Sequence, residues 1–222
     1  MRVKTLSEFK NKLKGGAARP NLFEVHIPKF PTAVRNQPQR GGGGQGRKVW
    51  DKDEREDFNF LCKAAQIPAS TVAAVEIPFR GRILKVAGDR TFADWTITVI
   101  NDENFKLRSR FEAWSNAINR LNNGMGPTRP SSYMCKGIVK QLGRGDERFD
   151  RDGAKPSENA KQQVLRTYEF FDIWPNNISE IDLNYDSTNA YEEFQVTFSV
   201  QYVQVGRSAN KNGKNKEKPF IR

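Results

Sequence analysis

Histidine occurs once and cysteine twice in the 222 residues, and no run of eighteen apolar residues exists. The first two scarcities remove most catalytic and metal chemistry. A single His26 on a short strand leaves no Ser-His or Cys-His pair in a recognisable setting, and no Cys/His cluster stands at metal-ligand spacing. Cys62 and Cys135 have no second cysteine near either, so neither a zinc pattern nor a disulfide framework is predicted, and both read as buried small hydrophobes. The absence of a long apolar run excludes a membrane-spanning helix, and Met1 to Lys14 mixes lysines with isolated apolar residues where a signal peptide needs continuity. The chain is expected to be made in the cytosol.

Glycine-based motifs also fail. Gly41 to Gly46 matches G-x-G-x-x-G only because nearly every position there is glycine; no clear buried strand precedes it, no helix opens after it, and no Lys-Ser/Thr follows. The tripeptide Arg144-Gly145-Asp146 sits in a charged stretch and carries no mechanism. Glu192 and Glu193 fall on opposite faces of a strand. Catalytic residues, cofactors, metals and a small-molecule substrate are therefore not expected.

What the chain does have is charge, and it is unevenly placed. The net charge is +11. Residues 1–19 carry +5 and residues 206–222 another +5, leaving +1 on the rest. Within the body, residues 164–205 carry −6 and residues 76–140 carry +5. Opposed patches of this kind favour head-to-tail contact between copies. The apolar fraction, 36%, is enough for one core with polar material around it.

Periodicity places the elements. Leu6, Phe9 and Leu13 predict a short N-terminal helix ended by Gly15 and Gly16. Phe23, Val25 and Ile27 predict a strand, ended by Pro28 and Pro31. Residues 31–56 read as a long loop, after which Phe58, Phe60, Cys62 and Ala64 alternate as a strand that breaks at Pro68. Arg82 to Ala87, Trp95 to Ile100 and Tyr133 to Lys140 read as further strands. Leu107, Phe111, Trp114, Ile118 and Leu121 predict one helix over about 102–122, capped by Asn101 or Asp102, with Gly124 beyond its end. Residues 142–163 form a second polar segment. A run from Val164 to Trp174 precedes a turn at Pro175-Asn176-Asn177, and Ile181, Leu183 and Tyr185 then alternate, as do Phe194, Val196, Phe198, Val200 and Tyr202.

The expected fold is mainly β, an antiparallel barrel or sandwich with one flanking helix, a short N-terminal helix and long polar loops. The expected organisation is a basic arm at 1–19, a single β domain at 20–205 with insertions at 31–56 and 141–163, and a basic flexible tail at 206–222.

The segment Ala87-Gly88-Asp89-Arg90-Thr91-Phe92-Ala93-Asp94-Trp95-Thr96-Ile97-Thr98-Val99 resembles the tail tube proteins of T-even-type contractile-tailed bacteriophages. So do Ala18-Arg19-Pro20-Asn21-Leu22-Phe23, Cys62-Lys63-Ala64, Asn101-Asp102-Glu103, Ile173-Trp174-Pro175-Asn176-Asn177 and Phe194-Gln195-Val196-Thr197, in the same order. That family is related to the inner tubes of R-type pyocins and of type VI secretion. The resemblance implies a virion structural protein, assembled in the bacterial host cytoplasm. Its subunits would close into hexameric rings stacked inside a contractile sheath. Its partners would be itself, the sheath, baseplate and tail terminator proteins, with genomic DNA and the tape measure protein passing through the bore without specific binding. Asp89, Arg90, Asp94 and Trp95 are candidates for a turn and subunit contact. Lys211, Lys214, Lys216, Lys218 and Arg222 are candidates for contact with sheath, DNA or the next ring. The alternatives are a tube-initiating baseplate protein, a type VI secretion tube subunit, or a nucleic-acid-binding barrel. The last needs basic residues interleaved with aromatics, which the strand at 194–202 lacks.

Overall fold

The computed structural model describes residues 5–12, 17–35, 50–143 and 164–207. Among the described residues there are four α-helices, α1 (Leu6–Lys12), α2 (Thr32–Arg35), α3 (Lys52–Leu61) and α4 (Lys106–Ile118), and a short 3-10 turn at Pro130–Ser132. Nine strands accompany them: β1 (Phe23–His26), β2 (Cys62–Ala65), β3 (Ser70–Phe79), β4 (Arg82–Phe92), β5 (Trp95–Ile100), β6 (Cys135–Leu142), β7 (Val164–Ile178), β8 (Glu193–Ser199) and β9 (Tyr202–Arg207). One sheet has the order β1-β6-β7-β8-β5-β2 with β9 also paired to β7, while β3 and β4 make a separate two-stranded sheet. The fold is mainly β, antiparallel and with few helices, and the sheet is not closed into a barrel.

The described residues fall into two compact units, one from residues 5–12, 17–24, 140–143, 164–167 and 207, the other from 25–35, 50–139 and 168–206. In the first, α1 begins with a capping box. The Glu8 amide donates to Thr5 Oγ1 and the Thr5 amide to a Glu8 carboxylate oxygen, which satisfies two donors that a helix start otherwise leaves free. In the same unit Leu142 N–H donates to Leu22 O at 2.9 Å, and Lys140 pairs with Glu24 at 3.3 Å. The proposed stop at Gly15 and Gly16 lies outside the described residues.

The second unit holds most of the aromatic core. Trp95 stacks on Phe170 at 4.5 Å and on Phe198 at 5.1 Å between ring centroids, and Phe111 and Trp114 of α4 reach the same Phe198. Strand β5 alternates buried and half-buried residues, as a strand with one face on a core must. β5 and β8 are antiparallel neighbours, with Trp95 opposite Phe198, Ile97 opposite Val196 and Val99 opposite Phe194. Gly137 is required by this packing: a Cβ there would lie 2.7 Å from Trp95 Cζ3 and 2.9 Å from Ile173 Cδ1.

Several expectations are corrected. Residues 52–61 are helical, not loop followed by strand. Asp51 caps α3 by accepting from the Glu54 amide at 2.9 Å, and Glu54 accepts in turn from the Trp50 amide at 2.8 Å. Glu54 is buried, and Arg110 of α4 reaches it through Nη2 at 2.7 Å and Nε at 3.2 Å. That pair fastens α3 to α4 and explains why Phe58 is buried while Phe60 faces solvent. Helix α4 is shorter than predicted. Phe105 is left-handed at its N-terminus, with Asp102 Oδ1 accepting from the Lys106 amide, and Asn119 is extended at its C-terminus, which leaves Leu121 95% exposed. Gly124 does adopt positive φ past the end, its N–H donating to Arg120 O. Pro175 to Asn177 is not a turn but a register shift of β7 against β8, a bulge that tolerates a residue without an amide hydrogen. No strand forms over Ile181 to Tyr185. The remainder of the 31–56 insertion, residues 36–49, and residues 144–163 lie outside the described residues.

Candidate assembly surface

Strand β3 was not anticipated, and with β4 it makes the least covered element among the described residues. All ten residues of β3 and nine of the eleven of β4 are exposed. The connection is two residues, Arg80 and Gly81, both at positive φ (+43° and +80°), the turn geometry that suits the right-handed twist of a tight hairpin. Pairing runs Val75 to Val86, Ile77 to Leu84 and Phe79 to Arg82 on one face, and Ala74 to Ala87, Glu76 to Lys85 and Pro78 to Ile83 on the other. The first face is an apolar stripe. The second carries a Lys85–Glu76 ion pair at 3.1 Å, both partners more than half exposed.

A two-stranded ribbon with an unburied apolar face is marginal in water. Val75, Ile77, Phe79, Leu84 and Val86 remain between 44% and 66% exposed. Pro78 is accommodated in β3 because the ribbon has free edges.

The main sheet treats its two ends differently. At β1, the Val25 amide donates to Asn59 Oδ1 of α3 at 3.0 Å and Trp50 Nε1 donates to Ile27 O. Those groups are withdrawn from pairing with another strand. At the other end, β2 is the terminal strand, and Lys63 and Ala64 are exposed.

The four residues of the Asp89 to Trp95 motif are not brought together as one turn. Between the pairs Val72–Arg90 and Ala74–Ala87, Gly88 and Asp89 of β4 face the single Ala73 of β3, so this stretch is a bulge. Glycine suits this close approach, since a Cβ on residue 88 would stand 3.0 Å from Val75 Cγ2 and 3.1 Å from Ala73 O, tighter than ordinary van der Waals contact. Asp89 and Arg90 are exposed on β4. Asp94 leads into β5 and accepts from Asn176 Nδ2 at 2.7 Å. Trp95 is fully buried, and its Nε1 has no hydrogen-bond partner among the described residues. Lys211, Lys214, Lys216, Lys218 and Arg222 lie outside the described residues.

Within the acidic stretch 164–205 that charge singled out, residues 179–192 make a surface where periodicity had suggested a strand. This stretch lacks regular structure and exposes Leu183 (85%), Tyr185 (104%) and Tyr191 (60%) beside Glu180, Asp182 and Asp186. The signal was present in the five carboxylates and no cation of residues 179–193.

The described residues contain no group of three or more His, Cys, Asp or Glu able to hold a metal, and no helix long and apolar enough to cross a membrane. Burial pushes the Cys62 thiol up to about 12 and raises Cys135 as well, so neither supplies a thiolate near neutral pH.

The family model described as phage tail tube protein matches residues 18–205. Over 188 residues the chain is 33% identical to the tail tube protein gp19 of Enterobacteria phage T4, covering 85% of this chain and 91% of that protein. It is 32% identical to gp19 of phage T6 with the same coverage. A tail tube protein of Serratia phage KSP90 is 24% identical over 181 residues, 77% of this chain and 92% of that one. Among solved structures, the tube-terminating cap of the anti-feeding prophage shares the fold at 12% identity, with a TM-score of 0.51 over 86% of this chain and 92% of that one. An open antiparallel sheet with an uncovered hairpin, in a chain matched along most of its length by tube proteins, makes it a member of the phage tail tube protein family, a structural subunit of the tube and a component of the virion.

Proposed function

We propose that the chain closes into six-membered rings that stack inside a contractile sheath, and that the resulting conduit carries genomic DNA into the host cell. The observation that carries this reading is the β3–β4 hairpin, whose apolar face and edges have no cover among the described residues. Packing between copies supplies that cover. If each ring contributes about 24 strands to the wall at about 4.8 Å spacing, the bore is roughly 37 Å across before side chains intrude, wide enough for duplex DNA.

Sheath, baseplate and terminator proteins are the partners of the finished tube, while DNA and the tape measure protein pass through it. The subunit itself performs no reaction. Weak attraction to phosphate suits transport, and the near-neutral body with its acidic 164–205 stretch favours sliding over holding. In the same reading Asp89, Arg90 and Asp94 stand at the root of the hairpin as contact residues, Trp95 supports them from the core, and the basic ends 1–19 and 206–222 flank a single working domain and touch sheath, DNA or the next ring.

Negative-stain microscopy and light scattering of the purified full-length chain test the proposal. Rings or stacked rings are the expected result. A monodisperse monomer at all concentrations and salts refutes it.

A further inference from the structure

We infer that the tip of the β3–β4 hairpin docks on the acidic, apolar segment 180–191 of a second copy of this chain. The inference rests on the reading of the protein as a self-assembling tube subunit and adds which two surfaces meet.

The tip is Phe79-Arg80-Gly81-Arg82-Ile83, with Phe79 66% and Ile83 59% exposed. Neither Arg80 nor Arg82 makes an ion pair with a described residue, and Arg80 lies over the ring of Phe79, 5.5 Å from its centroid. Lower on the ribbon Lys85 is already matched by Glu76. Unmatched positive charge is thus concentrated beside exposed apolar side chains at the far end of the hairpin. Ten strand residues at about 3.3 Å each let that end project roughly 33 Å from the ribbon's root.

Segment 180–191 is its counterpart in kind. Glu180, Asp182 and Asp186 are exposed and make no ion pair with described residues, whereas Glu193 is taken by Lys63 and Glu192 by Asn101. Leu183, Tyr185 and Tyr191 stand out beside them. The acidic segment of the same chain does not cover the hairpin, since both strands are exposed along their length. The partner is therefore another copy. A duplex nucleic acid would satisfy the arginines but leave Phe79 and Ile83 in water, while a surface of carboxylates and aromatics satisfies both. Two different patches meeting in this way form a heterologous contact, the kind that closes a ring or propagates a stack.

Charge exchange tests the docking in the full chain. R80E/R82E and E180K/D182K should each raise the critical concentration for assembly about tenfold or more at low salt, and the combined four-residue variant should recover most of the loss. In a second measurement, Arg82→Cys with Asp182→Cys should give a ladder of oxidised multimers, whereas either single variant should stop at dimers. Cys62 is buried and Cys135 half-buried, and the thiols of both are raised, which keeps the background low. A wild type that assembles together with charge-reversed variants that assemble equally well overturns the docking alone. So does failure of the combined variant to recover, or an R80E/R82E protein that forms tubes and loses only DNA retention. A wild type that never assembles refutes the underlying assembly reading, and the docking with it.

Discussion

Replacing Ile77 and Leu84 by serine separates the two jobs an apolar side chain can have, holding its own subunit together or holding its neighbour. The two residues face each other across the ribbon and are 46% and 59% exposed in the single chain. Full burial of such a side chain stabilises by roughly 1.5–3 kcal/mol, so the half still exposed is worth about 1 kcal/mol each when a neighbour covers it. The double variant should therefore weaken each subunit contact by about 2 kcal/mol, close to a thirtyfold rise in the concentration needed for assembly. The melting temperature of the unassembled chain should move little, because the substituted atoms lie outside the core. Pelleting across a concentration series gives the first number and circular dichroism at low concentration the second. An unchanged assembly threshold, or a large fall in monomer melting with no effect on assembly, would show that the stripe serves the subunit and not the contact.

Gly137→Ala should cost about 1–3 kcal/mol, since the new methyl meets Trp95 and Ile173 inside 3 Å, and a chemical denaturation curve shifted to lower denaturant is the check. Glu54→Ala should cost about 3–5 kcal/mol by stranding Arg110, whose side chain is 17% exposed, and Glu54→Gln should cost less because it still accepts hydrogen bonds; equal melting of both variants would remove the ion-pair argument. Cys62, raised from 9.0 to about 12 by burial, should resist thiol reagents at pH 8 until the chain unfolds. The same shift removes stability as pH climbs above about 9, where only the unfolded chain ionises this thiol, and thermal melts from pH 7 to 11 follow it. Arg90→Ala should impair assembly without lowering monomer stability, because the side chain is exposed in the subunit; tubes formed as readily as by wild type would dismiss a contact role.

Strands β5 and β8 and the centre of α4 were readable from residue order alone, because each has one face on the core and the other outside, and that asymmetry writes a period into the sequence. The tube identity was readable for a different reason, the bulge motif around Gly88 and the β5 segment that follows it, where close packing leaves few residue choices. Helix α3 was misread because Phe58, Phe60, Cys62 and Ala64 alternate as well as any strand. The Asp51-x-x-Glu54 cap that argues otherwise becomes decisive only when Arg110, 56 residues away, arrives to neutralise the buried carboxylate. The hairpin could not be seen as a surface at all. Its valines and isoleucines look like core residues in one dimension, and only the folded chain shows that no part of the described structure turns to cover them, since exposure depends on where distant segments go and not on local order.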